Sequence, residues 1–256
     1  MLTTAFDALA PSFDRDRALP QGVAEAIRDA VRDVAGSGRM LDLGAGTGRI
    51  GWPFVAAGDD YVGADLSFGM LREFARRAGA PRLVRADGHR LPFRDATFDV
   101  VMLVQVFGAM SDWRQFAGEA RRVLRASGTV VVGRTARPDN GVDARMKEKL
   151  AAILGELGVP LAKNNRREDV QRLLGEDACR DEPRTVASWT AKRTPRQFLD
   201  RHRSGARFAA LPSAVRNEAL HRLADWAASA FGSLDAARSE SCSFELRIFA
   251  FAGAHA

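Results

Sequence analysis

Leu41-Asp42-Leu43-Gly44-Ala45-Gly46-Thr47-Gly48-Arg49 places three glycines two residues apart directly behind an apolar run. Residues 39–43 read as a buried strand and the glycines as a turn with almost no side-chain bulk. Such a turn lets backbone N–H groups approach a ligand closely, at the carboxyl end of a strand where open α/β sheets bind ligands. A dinucleotide fingerprint places its third glycine five residues after the first, to seat a helix against the strand. Arg49 stands there instead, so the NAD reading loses its main support.

Outward from this turn, roughly the first 160 residues alternate strand and helix patterns, the mark of a mostly parallel sheet. A strand at 61–65 follows a helix that starts near Arg49 and carries Pro53 in its first turn, where proline is tolerated. Ser67 is placed to cap a helix reaching about residue 78, with Met70, Leu71 and Phe74 on one face. A third strand reads at 82–87 and a fully apolar fourth at 98–104. Asp112 and Gln115 start a helix ending near Arg125, and Ser127-Gly128 turns the chain into a fifth strand at 129–133. Beyond Arg134, Met146, Leu150, Ile153, Leu154 and Leu157 recur at helical spacing until Gly158 and Pro160. A short helix at 167–174 precedes an alternating strand at 185–192. Thr194-Pro195-Arg196-Gln197 opens a helix, another spans 214–231, and a strand at 243–251 sets Phe244, Leu246 and Ile248 on one face.

Of the 256 residues, 46% are hydrophobic and 27% charged, as in ordinary globular proteins. The longest apolar run, 100–110, is broken by Gln105 and too short to span a bilayer. Asp7, Asp14 and Asp16 near the start argue against a secretory leader, so a cytoplasmic location is expected. Cys179 and Cys242 have no metal-ligand spacing, and neither a disulfide nor a bound metal is expected. The net charge of +6 comes from arginines scattered along the chain, with few lysines, which disfavours nucleic acid as the partner. Monomer and homodimer both remain open.

D-x-G-x-G-x-G at 42–48 resembles motif I of the class I S-adenosylmethionine-dependent methyltransferases, and further motifs follow in order. Asp65 ends the second strand, Asp87-Gly88 ends the third, and 91–101 reads L-P-F-R-D-A-T-F-D-V-V. That segment is similar to one in the small-molecule subfamily typified by the menaquinone and ubiquinone methyltransferases. Arg121 to Gly128 matches its R-V-L-x-P-G-G turn with Ala126 and Ser127 in place of Pro and Gly. Phe6-Asp7 and Phe13-Asp14 resemble the Y-D-x-x-A-x-x-Y-D segment that folds over the cofactor, with Phe at both tyrosine positions.

The resemblance implies a Rossmann-like α/β sheet of order 3-2-1-4-5-7-6 with the last strand antiparallel. It would form one domain over 1–256 with helical cap insertions at about 136–182 and 195–232. It implies S-adenosyl-L-methionine as cofactor, S-adenosyl-L-homocysteine as product, and a small-molecule O, N, S or C acceptor. Asp42, Gly44, Ala45, Gly46, Gly48, Asp65, Leu66, Met70, Asp87, Gly88, Gln105, Phe13 and Arg17 would bind the cofactor. Asp65 suits a ribose diol, since a carboxylate accepts from both hydroxyls. Asp95 and Asp99 read as turn and structural residues. Phe107, Arg134, Trp52 and Trp189 would line the acceptor pocket. The family's histidine pair after the fourth strand is replaced by Val106-Phe107-Gly108-Ala109, so His202 and His89 are the candidate bases, while His221 and His255 read as surface and tail residues. The alternatives are an RNA or protein methyltransferase using the basic surface, or a cofactor-binding protein of the same fold without turnover.

Overall fold

The computed structural model describes residues 6–252 except 8–9, 12, 15–16, 78–79, 107–111, 160–165, 177, 181, 204–207 and 209–210. In chain order the described elements are α1 (Val23–Ala35), β1 (Met40–Leu43), α2 (Trp52–Ala56), β2 (Tyr61–Asp65), α3 (Phe68–Arg76), β3 (Arg82–Arg85), β4 (Phe98–Val104) and α4 (Trp113–Val123). They continue with β5 (Leu124–Ala136), α5 (Val142–Glu156), α6 (Arg166–Leu174), β6 (Ala178–Arg180), β7 (Arg184–Arg193), α7 (Pro195–Arg203), α8 (Ser213–Phe231) and β8 (Arg238–Phe251).

The strands order as β3-β2-β1-β4-β5-β8-β6, with β7 also on β8. The pairs β1–β2, β1–β4, β2–β3 and β4–β5 are parallel, and β8 runs antiparallel to β6. This is the expected order, with the strand before the last split into β6 and β7. Every residue of β1 is buried, as a central strand of a parallel sheet requires. On β8 the buried Phe244 and Leu246 alternate with less buried neighbours, as the sequence indicated, while Ile248 is followed by the equally buried Phe249.

Local chemistry sets most of the boundaries. Ser67 Oγ accepts from Met70 N at the start of α3, and Asp112 accepts from Arg114 N and Gln115 N at the start of α4. Thr194 and Gln197 form a reciprocal capping box on α7, each bond 3.2 Å. One expectation is corrected. Ser127-Gly128 does not turn a helix into a strand, because β5 already begins at Leu124. Phe98 pairs with Leu124 and Val100 with Thr129, so residues 125–128 are taken up by a shift of register within the strand.

Two compact units divide the chain, residues 1–135, 164–187 and 244–256 in one and 136–163 and 188–243 in the other. The core of the first joins Leu41, Val62, Phe98, Val101, Phe116 and Phe249. The second is helical, and α5, α7 and α8 bury Met146, Leu150, Phe198, Leu223 and Phe231 together. The helices expected as the first cap insertion divide between them: α5 is in the helical unit, while α6 contributes Val170 and Leu174 to the sheet core.

The L-P-F-R-D stretch is held by Arg122 of α4. Its guanidinium donates to Leu91 O (3.1 Å), Phe93 O (2.8 Å), Asp95 Oδ1 (2.7 Å) and both oxygens of Glu119. Glu119 in turn accepts from Leu91 N at 2.6 Å. Asp99 accepts from Arg39 N at 2.8 Å and so ties β4 to the entry of β1. Asp95 and Asp99 are therefore structural, as expected. Arg122→Ala should lower unfolding stability by about 2 kcal/mol, because two carbonyls and two carboxylates lose a charged donor near the surface. Urea unfolding checks this, and a change within 0.5 kcal/mol, the ordinary surface range, would show the hub to be ornamental.

Candidate functional site

At the end of β1, Gly44 N and Ala45 N both donate to Ala64 O, at 2.8 and 3.0 Å, which fixes the glycine turn against the end of β2. Gly44, Gly46 and Gly48 take φ of +88°, +57° and +76°, the left-handed region that favours glycine. Their reasons differ. A Cβ on Gly48 would overlap the Phe74 ring, whereas among the described residues one on Gly46 would meet only Gly44 O at 3.9 Å. Gly48 is thus a packing requirement, and Gly46 borders open space.

Two further turn N–H groups are engaged within the protein. Gly48 N donates to Ala45 O at 3.1 Å and Gly46 N to Asp65 Oδ2 at 2.9 Å. The turn offers a ligand close approach rather than a row of N–H groups.

Asp65 joins the turn to α3, since its other oxygen accepts from Ser67 N at 2.8 Å. Burial raises its pKa, against the pull of the N–H groups of Ser67, Gly46 and Leu66. A carboxylate has about four lone-pair positions, so even with these N–H groups Asp65 keeps acceptor capacity for a ligand hydroxyl. Leu66 beside it is 44% exposed, while Met70 faces inward at 2%. The structure therefore keeps Leu66 at the surface and seals Met70 in the core.

The N-terminal segment meets the same place. Asp7 Oδ1 accepts from Ser67 Oγ (2.5 Å) and Gly69 N (2.7 Å), and these bonds hold its pKa down. Asp14 accepts from Thr47 Oγ1 at 2.5 Å and pairs with Arg77. Arg49 donates to Arg17 O and, at 2.7 Å, to Gln105 Oε1. Gln105 follows β4 with φ of +57° and also donates to Thr135 at 2.9 Å. The Arg17 guanidinium lies 4.4 Å from the centre of the Phe13 ring. Asp7, Asp14 and Arg49 were legible as motif members but not as the anchors that join the segment to the turn.

Asp42 lies under the turn at 2% exposure and accepts from Tyr61 Oη at 2.7 Å. Burial pushes its pKa up to about 7; the Tyr61 bond lowers it and Asp65 raises it. Asp87 Oδ1 accepts from His89 N (2.9 Å) and from the His89 ring at Nδ1 (2.7 Å), bonds that hold Asp87 below the usual carboxylate range. Asp112 N donates weakly to His89 Nε2 at 3.4 Å.

Residues 41–132, which contain the turn, Asp65 and Asp87, match the model of the methyltransferase domain family. The chain is 33% identical over 140 residues to the demethylmenaquinone methyltransferase of Renibacterium salmoninarum, covering 53% of this chain and 59% of that one. It is 35% identical over 159 residues to the demethylmenaquinone methyltransferase of Clavibacter sepedonicus, covering 57% and 64%. The chain thus spans under two thirds of the length of these curated relatives. A solved SAM-dependent methyltransferase from Thermotoga maritima aligns over 97% of this chain and 99% of its own, with a TM-score of 0.55 at 16% identity. The chain has the class I methyltransferase fold.

On that methyltransferase sheet unit, Trp52 opens α2 half-buried. Arg134 is bound to Glu245, at 2.9 Å through Nε, and borders a cavity of about 330 Å³ with Gln171 and Arg172. Gly88 follows Asp87 and lies against Phe116 of α4. Phe107 and His255 fall outside the described residues. Trp189 and His202 belong to the helical unit. There His202 stacks on Phe198 with ring centroids 3.9 Å apart, and its Nδ1 lies 2.9 Å from Phe198 O. Burial lowers its pKa, with Arg201 and Lys147 adding to the effect, so it is neutral at pH 7. No helix among the described residues is long and apolar enough to cross a membrane.

Proposed function

We propose that this chain binds S-adenosyl-L-methionine on the methyltransferase sheet and carries out SN2 methyl transfer to a small-molecule acceptor. The observation that carries the reading is Asp65, bonded to Gly46 where the turn borders open space. The residues fit the group. Asp65 has acceptor capacity for a ribose hydroxyl, Leu66 offers an exposed apolar face to the adenine, and Asp87 with Gly88 stands at the next strand end. Arg17 and Gln105, both bonded to Arg49 of the turn, and Phe13 under the Arg17 guanidinium would hold the cofactor's amino-acid end. When bound, the cofactor supplies an electrophilic sulfonium methyl group.

What remains for the protein is positioning, which can be worth ~7–11 kcal/mol. The His89 ring is held beside Asp87 through Nδ1 at 2.7 Å, with Asp112 N 3.4 Å from Nε2. His202 is neutral but packed among helices. A carboxylate, thiolate or neutral amine therefore suits the site better than an alcohol, which needs a base.

Calorimetric titration with S-adenosyl-L-homocysteine, with NADH as control, tests the cofactor reading. Micromolar binding of the former alone is expected, and no binding of it sinks the reading. An acceptor panel follows, with amines, thiols and, from the relatives' names, a demethylmenaquinol analogue. Tight binding with no turnover across the panel would favour a non-catalytic binding protein. Methylation of RNA with steep salt dependence would favour the basic-surface alternative.

A further inference from the structure

We infer that Tyr61, the chain's one tyrosine, is a positioning residue of the cofactor site, holding the Asp42 carboxylate in place beneath the glycine turn. The inference rests on the cofactor reading above and adds to it a residue outside every motif of the sequence. Tyr61 begins β2 and pairs with Met40, while Asp42 pairs with Gly63 two residues on, so both side chains stand on one face of the parallel pair. Gly63 puts no side chain opposite the carboxylate.

The hydroxyl end is built in with equal care. A Cβ on Gly51, just before α2, would collide with Tyr61 Oη, so only glycine leaves room for it there. The ring is fixed by Phe54, stacked at 5.9 Å, and by Phe74, edge-on at 6.0 Å. Phe74 is also the ring that requires Gly48 in the turn. One aromatic cluster thus sets the turn from one side and the carboxylate beneath it from the other.

Among the described residues the groups that bear on Asp42 are few. Asp65 at the end of β2 repels its charge, and Tyr61 donates to it. Phe54, Phe74 and its β4 partner Met102 bring no charge, and Arg32 over the Phe54 ring is paired with Asp59 at 3.3 Å. Tyr61 is therefore what keeps an ionised carboxylate under the turn near neutral pH, where the cofactor's ammonium group favours a negative charge. Binding should strengthen with pH up to the point at which Asp42 has ionised in the free protein, and then level off.

The test is calorimetric binding of S-adenosyl-L-homocysteine from pH 5.5 to 8.5 for wild type, Tyr61→Phe and Asp42→Asn, with the Asp42 carboxyl followed by carbon NMR in the free proteins. Wild-type affinity should rise and level near pH 7. Tyr61→Phe keeps the ring and loses the donor, so its rise should move up by about one pH unit. At pH 6.5 it should bind roughly five- to tenfold more weakly, converging on wild type by pH 8.5. Asp42→Asn should show no rise in this window.

A merely structural tyrosine would lower affinity evenly and leave the pH of the rise unchanged. Superimposable profiles for Tyr61→Phe and wild type, with an unmoved Asp42 midpoint, overturn the inference. Failure of wild type to bind at all overturns the cofactor reading itself, and the Tyr61 role falls with it. A bound wild type with coincident profiles removes the Tyr61 role alone.

Discussion

Asp65→Ala is expected to weaken S-adenosyl-L-homocysteine binding by about 1.5–3 kcal/mol, roughly tenfold to 150-fold. Two losses combine. The ribose hydroxyls lose a charged acceptor, and Gly46 N and Ser67 N lose the carboxylate that joins the turn to α3. Asp65→Asn separates them: its single carbonyl oxygen can still take one backbone N–H, but the charge is gone. It should bind almost as poorly as the alanine variant while melting closer to wild type. Calorimetry and thermal unfolding on the same preparations measure both. An alanine variant with wild-type affinity would remove Asp65 from the cofactor site, whatever it did to the melting temperature.

Features written in short-range chemistry were legible in the sequence. Ser67, Asp112 and the Thr194–Gln197 box start helices at the positions their side chains dictate, because a capping bond needs only neighbours three residues away. The 2.0 and 3.6 periods likewise separated the strand at 243–251 from the helix at 214–231. The register shift at 125–128 was misread because Ser-Gly has the same local signature in a turn as in a strand irregularity; the parallel pairing to β4 decided between them.

The site divides the same way. Asp65 and the glycines were singled out by their spacing, and the structure bonds Asp65 to Gly46 of the turn. The Asp42–Tyr61 bond spans 19 residues and exists only through the β1–β2 register, so nothing near either residue announces it. Asp87 and His89 are two apart, yet the bond between their side chains is not announced by that spacing. His202 shows the same limit, since its neutral state follows from burial among helices and cationic neighbours.

The second large effect concerns stability and follows from Asp42 alone. Its pKa is raised from 3.8 to about 7 in the folded protein, chiefly by burial. Below pH 4 the carboxyl is protonated in both states and costs nothing. Between pH 4 and 7 the unfolded chain gives up the proton while the native protein retains it, so rising pH favours unfolding. Above pH 7 both states are ionised and the loss levels off. At 1.36 kcal/mol per unit, the penalty is on the order of 4 kcal/mol, a large share of a normal folding free energy. Asp7 and Asp87, whose pKa values are lowered, act in the opposite sense and lose stability as pH falls. Asp65, whose pKa burial also raises, acts in the same sense as Asp42. All three are common to wild type and Asp42→Asn, so the difference between the two unfolding curves reports Asp42 together with its repulsion from Asp65. That difference should fall by several kcal/mol from pH 4 to 7 and stay flat to pH 9, leaving Asp42→Asn the more stable protein at pH 8 unless its amide is left unpaired. Urea unfolding at six or seven pH values is sufficient, and a pH-independent difference would show that the native protein does not retain this proton. A carboxylate that weakens the fold at neutral pH, and whose hydrogen-bond donor needs a glycine cut away to fit, is not accounted for by folding alone, and the cofactor site proposed at the turn above it would supply the reason.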